Sequence, residues 1–284
     1  MTLALDRYTR PAALNHHQLG DYRLTSLPDG AAYLDPHTWY PASSDEMWAE
    51  HAHLINSDGW LVASIGALLI EHNNRCVLID AGFGPMATPT PPFGLMRGGQ
   101  LLHSLTQAGK TPADIDAIAV THLHLDHIGW LWHPSTPFTD TPILIGDTEW
   151  QHRDDAAADG VDRNMLDAIR DRVRTIEPGA AVLPGVHATA TPGHSLGHLA
   201  YTLTTGTRRL VCFGDALQSP IQIRHPDLTA AIDDNPATAR TTARALVDDL
   251  AVPGTDGFGL HFADAQFGHV TTAPDGTRTW QPTT

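Results

Sequence analysis

Apolar and polar positions along this chain fall into short runs whose period changes several times. Residues 1–20 (MTLALDRYTRPAALNHHQLG) show no clear period and read as a poorly anchored N-terminal arm. YRLTSLPDG reads as a strand and a turn, with Pro28-Asp29-Gly30 as the turn signal. Residues 31–60 scatter Tyr33, Trp39, Tyr40, Trp48 and Trp60 among polar positions, which predicts a long, partly helical excursion over the core. LVASIGALLIEHNNRCVLIDAG predicts two apolar strands joined at His72-Asn73-Asn74-Arg75. Residues 85–99 (PMATPTPPFGLMRGG) are so rich in Pro and Gly that they read as a loop, of a length that often serves as a lid or flap.

Beyond that loop, QLLHSLTQAG predicts a helix, KTPADI a turn, DAIAVTH a buried strand and PILIG a short one. Leu166, Ile169, Val173 and Ile176 recur at spacings of 3, 4 and 3, which predicts one face of an amphipathic helix. GVHATATPGH and LAYTLTTGTRRLVCFGDA give three or four further strands. A helix then starts with Asn235 as its cap and Pro236 at its first position, with Ala239, Ala243, Leu246 and Leu250 as its apolar stripe. A last strand ends near GFGLHF. CVLIDAG and LVCFGDA each run a buried strand into an aspartate, Asp80 and Asp215. That echo predicts two similar β-rich halves, packed as two facing sheets with helices outside.

Composition narrows the function. Hydrophobic residues make up 42% of 284, enough for a large core. The formal charge of −15 disfavours nucleic acid and anionic membrane as partners. Lys110 is the one lysine, which argues against lysine-based covalent catalysis. Cys76 and Cys212 sit inside apolar runs and read as packing residues. No basic segment followed by an apolar one opens the chain, and the run LVASIGALLI is about half a membrane span, so a reducing, cytoplasmic setting is expected.

The 18 histidines are the anomaly. The string Thr121-His-Leu-His-Leu-Asp-His-Ile-Gly129 follows the apolar strand IDAIAV, where a loop presents functional groups from a rigid base. In extended chain, His122 and His124 point the same way and can grip one ion. A helix starting there would carry Asp126 and His127 to a second. Such ligands suit zinc or a similar divalent metal. His194 in TPGHSLGH, Asp215 in FGDA and His261 after GFGL are further candidates. Singly, each also fits a cap or a surface group; together they supply what two ions still lack.

HLHLDH, TPGHSLGH, FGDA and GLHF, in that order, resemble the motif series of the metallo-β-lactamase superfamily, over roughly residues 60–270. The resemblance implies an α+β fold, the four-layer αββα sandwich, here a single hydrolase domain over residues 21–284. It implies His122, His124 and His194 on one ion, Asp126, His127 and His261 on a second, and Asp215 between them. Asp80 and His198 would support these ligands from behind. Two ions, zinc by this likeness, would share a water, lower its pKa and leave a bridging hydroxide as nucleophile, with Asp126 as proton donor to the leaving group.

GDALQSPIQIRHPD and HFADAQFGHV resemble segments of the quorum-quenching lactonase and methyl-parathion-hydrolase-like branch, which implies a small, largely uncharged lactone or ester as substrate. Phe83, Phe93, Trp130, Trp132, Phe262 and Phe267 flank the motifs as candidate pocket walls, with core packing expected for at least half. Gln218 stands where such lactonases often carry a tyrosine or histidine facing the substrate. The alternatives are a β-lactamase-type amide hydrolase, for which an arginine such as Arg224 would have to hold the substrate carboxylate, and a non-catalytic metal-binding member. Homodimerisation stays open.

Overall fold

The computed structural model describes residues 6–283. Among them, the strands form two sheets. The first is nine-stranded and contains β1 (Asn15–Leu19), β2 (Tyr22–Leu34), β3 (Leu61–His72), β4 (Arg75–Ile79), β5 (Ala87–Thr90), β6 (Gly94–Arg97), β7 (Ala117–Ala119), β8 (Ile143–Gly146) and β9 (Val173–Ile176). Its order is β5-β6-β2-β3-β4-β7-β8-β9, with β1 also on β2. The second runs in sequence order through β10 (Ala181–Leu183), β11 (Val186–Ala190), β12 (Leu199–Thr205), β13 (Arg208–Cys212), β14 (Thr255–Phe258), β15 (Phe267–Thr272) and β16 (Arg278–Pro282).

The period-2 rule sorts the side chains of each strand between two cores. Leu68, Ile70, Val77, Ile79, Ala117 and Ala119 point to the layer between the sheets, where they meet Val186, Tyr201, Leu203, Leu210, Cys212 and Phe258. The intervening Ala67, Leu69, Cys76, Leu78, Ile118 and Val120 pack outward, against Leu101, Leu105, Ile128, Leu131, Leu166 and Ile169 on helices Leu101–Gln107, Leu125–Trp132 and Arg163–Ile169. On the far side, Ala243, Leu246, Val247 and Leu250 of helix Pro236–Leu250 join a core with Val211, Phe213 and Trp280. The layers are therefore helix, sheet, sheet, helix. Because both faces are covered, β3 is buried over its first ten residues.

The echo around Asp80 and Asp215 is a repeat of topology. In each sheet an antiparallel hairpin, β3-β4 or β12-β13, is followed by a strand that joins it in parallel, β7 on β4 and β14 on β13. Parallel pairing brings the C-terminal ends of β4 and β7, and of β13 and β14, to the same edge. The motif loops leave from those ends.

Several expectations are corrected. Residues 6–20 are anchored: β1 pairs with β2, and Arg10 binds Asp264; residues 1–5 lie outside the described residues. Pro28-Asp29-Gly30 does not reverse the chain, because β2 continues through it with a bulge opposite β3. Residues 85–99 contain the hairpin β5-β6, which extends the first sheet through β6 on β2. Prolines are admissible there because an edge strand needs no donor on its outer side. The helix expected through Val173 and Ile176 stops at Ile169, and residues 173–176 form β9 beside β8, where Val, Thr and Ile suit a strand. The chain does not end its sheet near GFGLHF, since β15 and β16 follow. On helix Pro236–Leu250, Asn235 caps the N–H of Thr238 as expected, and Val247 joins the buried stripe.

Candidate metal centre

β4 ends at Ile79, and the next residue, Asp80, has a φ of 64° that places it in the left-handed region and turns its carboxylate across the sheet end. For a non-glycine residue such a conformation costs roughly 1–3 kcal/mol, and it persists where surrounding bonds demand it. Here they do. Asp80 Oδ1 accepts from Thr121 N at 2.8 Å, and Oδ2 accepts from Thr121 Oγ1 at 3.0 Å and His127 Nδ1 at 2.9 Å. β7 delivers Thr121 and His122 to the same edge, and His124 stands at the N-cap of helix Leu125–Trp132. The helix packs so closely on the loop after β4 that a Cβ at Gly129 would lie 2.0 Å from Phe83 O. Glycine closes the THLHLDHIG string for that reason.

From the second sheet come His194, between β11 and β12, Asp215 after β13, and His261 after β14. The Pro192-Gly193 turn has φ 130° at Gly193, and a Cβ there would meet Ala239 N at 2.3 Å, so the turn nests against helix Pro236–Leu250. Leu199 N donates to Thr121 O at 2.9 Å and ties the two sheets together beside the site.

The seven ligand-type residues meet. His194 Nε2 lies 3.0 Å from His124 Nδ1 and 3.4 Å from Asp215 Oδ2. Asp215 Oδ1 lies 3.2 Å from His127 Nε2 and 3.1 Å from His261 Nε2. Asp126 Oδ2 is 3.6 Å from His261 Nε2, and Asp126 Oδ1 is 3.8 Å from His127 Nε2. Three overlapping groups have all their ligand atoms within 4.8 Å of one another: His122, His124 and His194; His122, His127 and Asp215; Asp126, His127 and His261. His122 Nε2, His127 Nε2 and Asp215 Oδ1 are buried with no hydrogen-bond partner; the approaches of His261 Nε2 at 3.1 Å and His127 Nε2 at 3.2 Å to Asp215 Oδ1 are ion-pair contacts without hydrogen-bond geometry. Buried polar atoms are almost always satisfied, so three orphans aimed at one spot fit a cation.

Hydrogen bonds behind the ligands set their tautomers. His194 Nδ1 faces Asp233 Oδ1 at 2.8 Å, His261 Nδ1 faces Ser64 O at 2.7 Å and His127 Nδ1 faces Asp80. Each acceptor takes the Nδ1 proton and leaves the Nε2 lone pair toward the centre. Thr121 Oγ1, donating to Asp80, can accept from His122 Nδ1 at 3.0 Å. His198 carries no inward ligand atom: its Nε2 accepts from Asp215 N at 3.0 Å and its Nδ1 meets Thr191 Oγ1 at 2.8 Å. Burial, then His194, push its pKa down to about 3, so it stays neutral as that acceptor.

The ligands themselves respond to one another. Burial, reinforced by His127 and His124, holds His122 well below the usual histidine range. At Asp215 burial alone would raise the pKa, yet His261, His127 and His194 hold it well below the carboxylate range. Burial likewise opposes, and Asp215 with Asp80 outweighs, to raise His127. Protons and metal ions compete for the same nitrogens.

A cavity of about 260 Å³ opens over His124, Leu125 and Asp126. Phe83 and Phe93 line it, with Leu34, Trp39, Met96 and Ile232. Trp130 and Trp132 instead pack in the outer core of the first sheet, Trp130 donating to Asp29. Phe262 packs on Phe213 and Trp280, and Phe267 is buried between the sheets. Gln218 does not line the cavity: it is buried, accepts from Trp39 Nε1 at 3.1 Å and places Nε2 3.0 Å from His194 Nδ1. Arg224 lines a separate cavity with Tyr8, Glu50, His51, His53 and Arg278, so it is not a carboxylate anchor for this site.

Sequence reasoning missed four supports. Asp233 holds His194. Ser64 holds His261 through its backbone. Glu149, 6% exposed, accepts from Leu123 N, Ser195 Oγ and Gly197 N at 2.8, 2.8 and 3.0 Å and joins two ligand loops. Asp29 accepts from the N–H groups of Phe83, Gly84, Gly99 and Leu101 and braces the loop under the cavity. A buried acid has no local signature that sets it apart from a surface acid. For Thr121, its place at the head of the histidine string was a usable signal.

A model of the metallo-beta-lactamase superfamily matches residues 64–259, which stops short of His261. An N-acyl homoserine lactonase of Bacillus thuringiensis is 30% identical over 200 residues, 64% of this chain and 70% of that protein. Among solved structures, AidC, described as a dizinc quorum-quenching lactonase in complex with the product N-hexnoyl-L-homoserine, superposes with TM-score 0.82 at 21% identity, covering 96% of this chain and 98% of AidC. The hydrolase AbOPH superposes with TM-score 0.79 at 23% identity, covering 97% and 99%.

Proposed function

The chain belongs to the metallo-β-lactamase superfamily, and from that premise we propose that it is a dinuclear metal-dependent hydrolase that opens a small lactone or cleaves an ester. The observation that carries the proposal is the convergence of His122 Nε2, His127 Nε2 and Asp215 Oδ1, buried and without hydrogen bonds, inside a set of seven ligand-type residues. His122, His124 and His194 would hold one ion; Asp126, His127 and His261 the other; Asp215, with one oxygen toward each group, would serve both. Imidazole and carboxylate ligands favour zinc. When bound, such ions supply Lewis acidity and an activated water nucleophile.

The chain's own residues supply the rest. Asp80, Asp233 and Ser64 O accept from the Nδ1 side of His127, His194 and His261, so their Nε2 nitrogens would meet the ions without reorganising. His198 fixes the backbone of Asp215. Asp126 reaches the cavity wall, where its carboxylate can take a proton and pass it to a leaving alkoxide. Trp39, Phe83, Phe93, Met96 and Ile232 exclude water from an apolar substrate segment. Among the described residues no arginine or lysine lines this cavity, which supports a neutral lactone or ester over a β-lactam, whose carboxylate would lack a partner. The lactonase relatives point the same way. Free, buried Cys76 and Cys212 accord with a reducing cytoplasm, and no helix among the described residues is long and apolar enough to cross a membrane.

Metal analysis of the purified protein, followed by rates on lactones, aryl esters, β-lactams and phosphotriesters, tests this. About two ions per chain are expected, with lactones or esters turned over fastest. Asp215→Ala should lose metal and activity while still melting cooperatively. One ion per chain at saturating zinc, or β-lactams as the fastest substrates, overturns the reading.

A further inference from the structure

His261 stands on a loop, residues 259–266, held in an unusual backbone shape. Ala263 has φ 49°, a left-handed conformation that side chains other than glycine adopt at a cost. Its N–H closes back on His261 O at 2.8 Å. Next to it, Asp264 is buried, with its side chain 9% exposed, and takes its partners from the N-terminal segment. Arg10 donates to Asp264 Oδ2 through Nε at 3.0 Å and Nη2 at 2.8 Å. Ala13 N donates to Oδ1 at 2.9 Å. Arg7 Nε donates to Asp264 O, and Asp264 N donates to Arg7 O, both at 2.9 Å.

The same segment reaches the other support of His261. Ala12 N donates to Ser64 Oγ at 2.7 Å, and Ser64 O accepts from His261 Nδ1. At its far side, Arg7 Nη1 donates to Thr283 O and Tyr8 Oη to Trp280 O. Residues 7–13 thus span from β16 to β3 and hold His261 from two directions, through its loop and through its imidazole acceptor. Only the carboxylate of Asp264 and the guanidinium of Arg10 need be charged for this, and two donors of Arg10 converge on one carboxylate oxygen while Ala13 N takes the other.

We propose that the N-terminal segment is a clasp that positions His261 for the second ion, with Arg7, Arg10 and Asp264 as positioning residues. The proposal rests on the dinuclear reading above. Without the clasp, the loop would relax the left-handed residue and carry the imidazole out of register with Asp126 and Asp215. The family match spans neither partner of the clasp, residues 7–13 or Asp264.

The test compares wild type, Arg7→Ala/Arg10→Ala, Arg10→Lys and the double-alanine variant carrying Ala263→Gly, each as purified with zinc. Two readouts are taken: amide hydrogen exchange of residues 259–266, and release of each ion to a chelator. The double-alanine variant should fold, exchange faster in this loop and release one of its two ions about tenfold faster, the change expected when a charge-assisted hydrogen bond to a buried acid is lost. Glycine at 263 accepts φ 49° freely, so it should restore most of the slow release, and Arg10→Lys should fall between. Wild-type exchange and release in the double-alanine variant overturn the clasp. If that variant fails to fold, Arg10→Lys alone decides, and unchanged release there overturns it equally. Wild type holding fewer than two ions overturns the dinuclear reading, and loop exchange then still judges the clasp.

Discussion

Glu149→Ala should loosen the metal centre without touching a ligand. Glu149 sits on helix Asp147–Gln151, 6% exposed, and its carboxylate accepts from Leu123 N, Ser195 Oγ and Gly197 N. Leu123 lies between His122 and His124, while Ser195 and Gly197 lie between His194 and His198. One carboxylate therefore sets the distance between loops contributed by the two sheets. Alanine leaves two buried backbone N–H groups without acceptors, at roughly 1–3 kcal/mol each. With the lost packing the sum is roughly 3–5 kcal/mol, a large part of the 5–15 kcal/mol typical of a folded domain. At roughly 2–4 °C per kcal/mol, the melting midpoint should fall by about 6–20 °C. Glu149→Gln keeps one acceptor oxygen and turns the other into a donor, which still satisfies Ser195 but strands one N–H, so it should cost about a third to a half as much. Melting is measured on chelated protein, because bound metal stabilises by mass action and would mask the difference. Zinc-loaded samples then give metal content and hydrolysis rate, both expected to drop in the order wild type, Gln, Ala. An alanine variant that melts within about 2 °C of wild type and keeps both ions refutes the idea that Glu149 ties the loops.

Phe93→Ala removes one wall of the cavity on the hairpin β5-β6. It should raise KM for substrates with an apolar chain by about tenfold, the equivalent of roughly 1.4 kcal/mol of lost contact, while metal content stays at the wild-type level; loss of metal instead would make the hairpin a structural strap. Gln218→Tyr, which restores a residue such lactonases often carry there, should lower lactone turnover, because the space around Gln218 is filled by Trp39, His194 and Asp215. A larger ring there overpacks at about 1–3 kcal/mol, and a rise in lactone over aryl-ester turnover would show that Trp39 yields.

Four of the candidate ligands, His122, His124, Asp126 and His127, stood out together in the sequence because their spacing is local. His122 and His124 share a side of extended chain, and the helix that follows carries Asp126 and His127 to the next ligand group, a geometry set within six residues. The alternation of β3, β4 and β7 and the cap at Asn235 were readable for the same reason. The tertiary structure decided what depends on partners distant in the chain. Val173 and Ile176 keep a helical period but follow β8 into a strand, because ladder pairing outweighs a weak local preference. The proline-rich segment became an edge hairpin because β2 offered it a free side. Asp29, Glu149, Asp233 and Asp264 became buried anchors because folding brought them donors from up to about 250 residues away. A carboxylate carries no mark of whether water or backbone N–H groups will surround it. Only the fold assigns that.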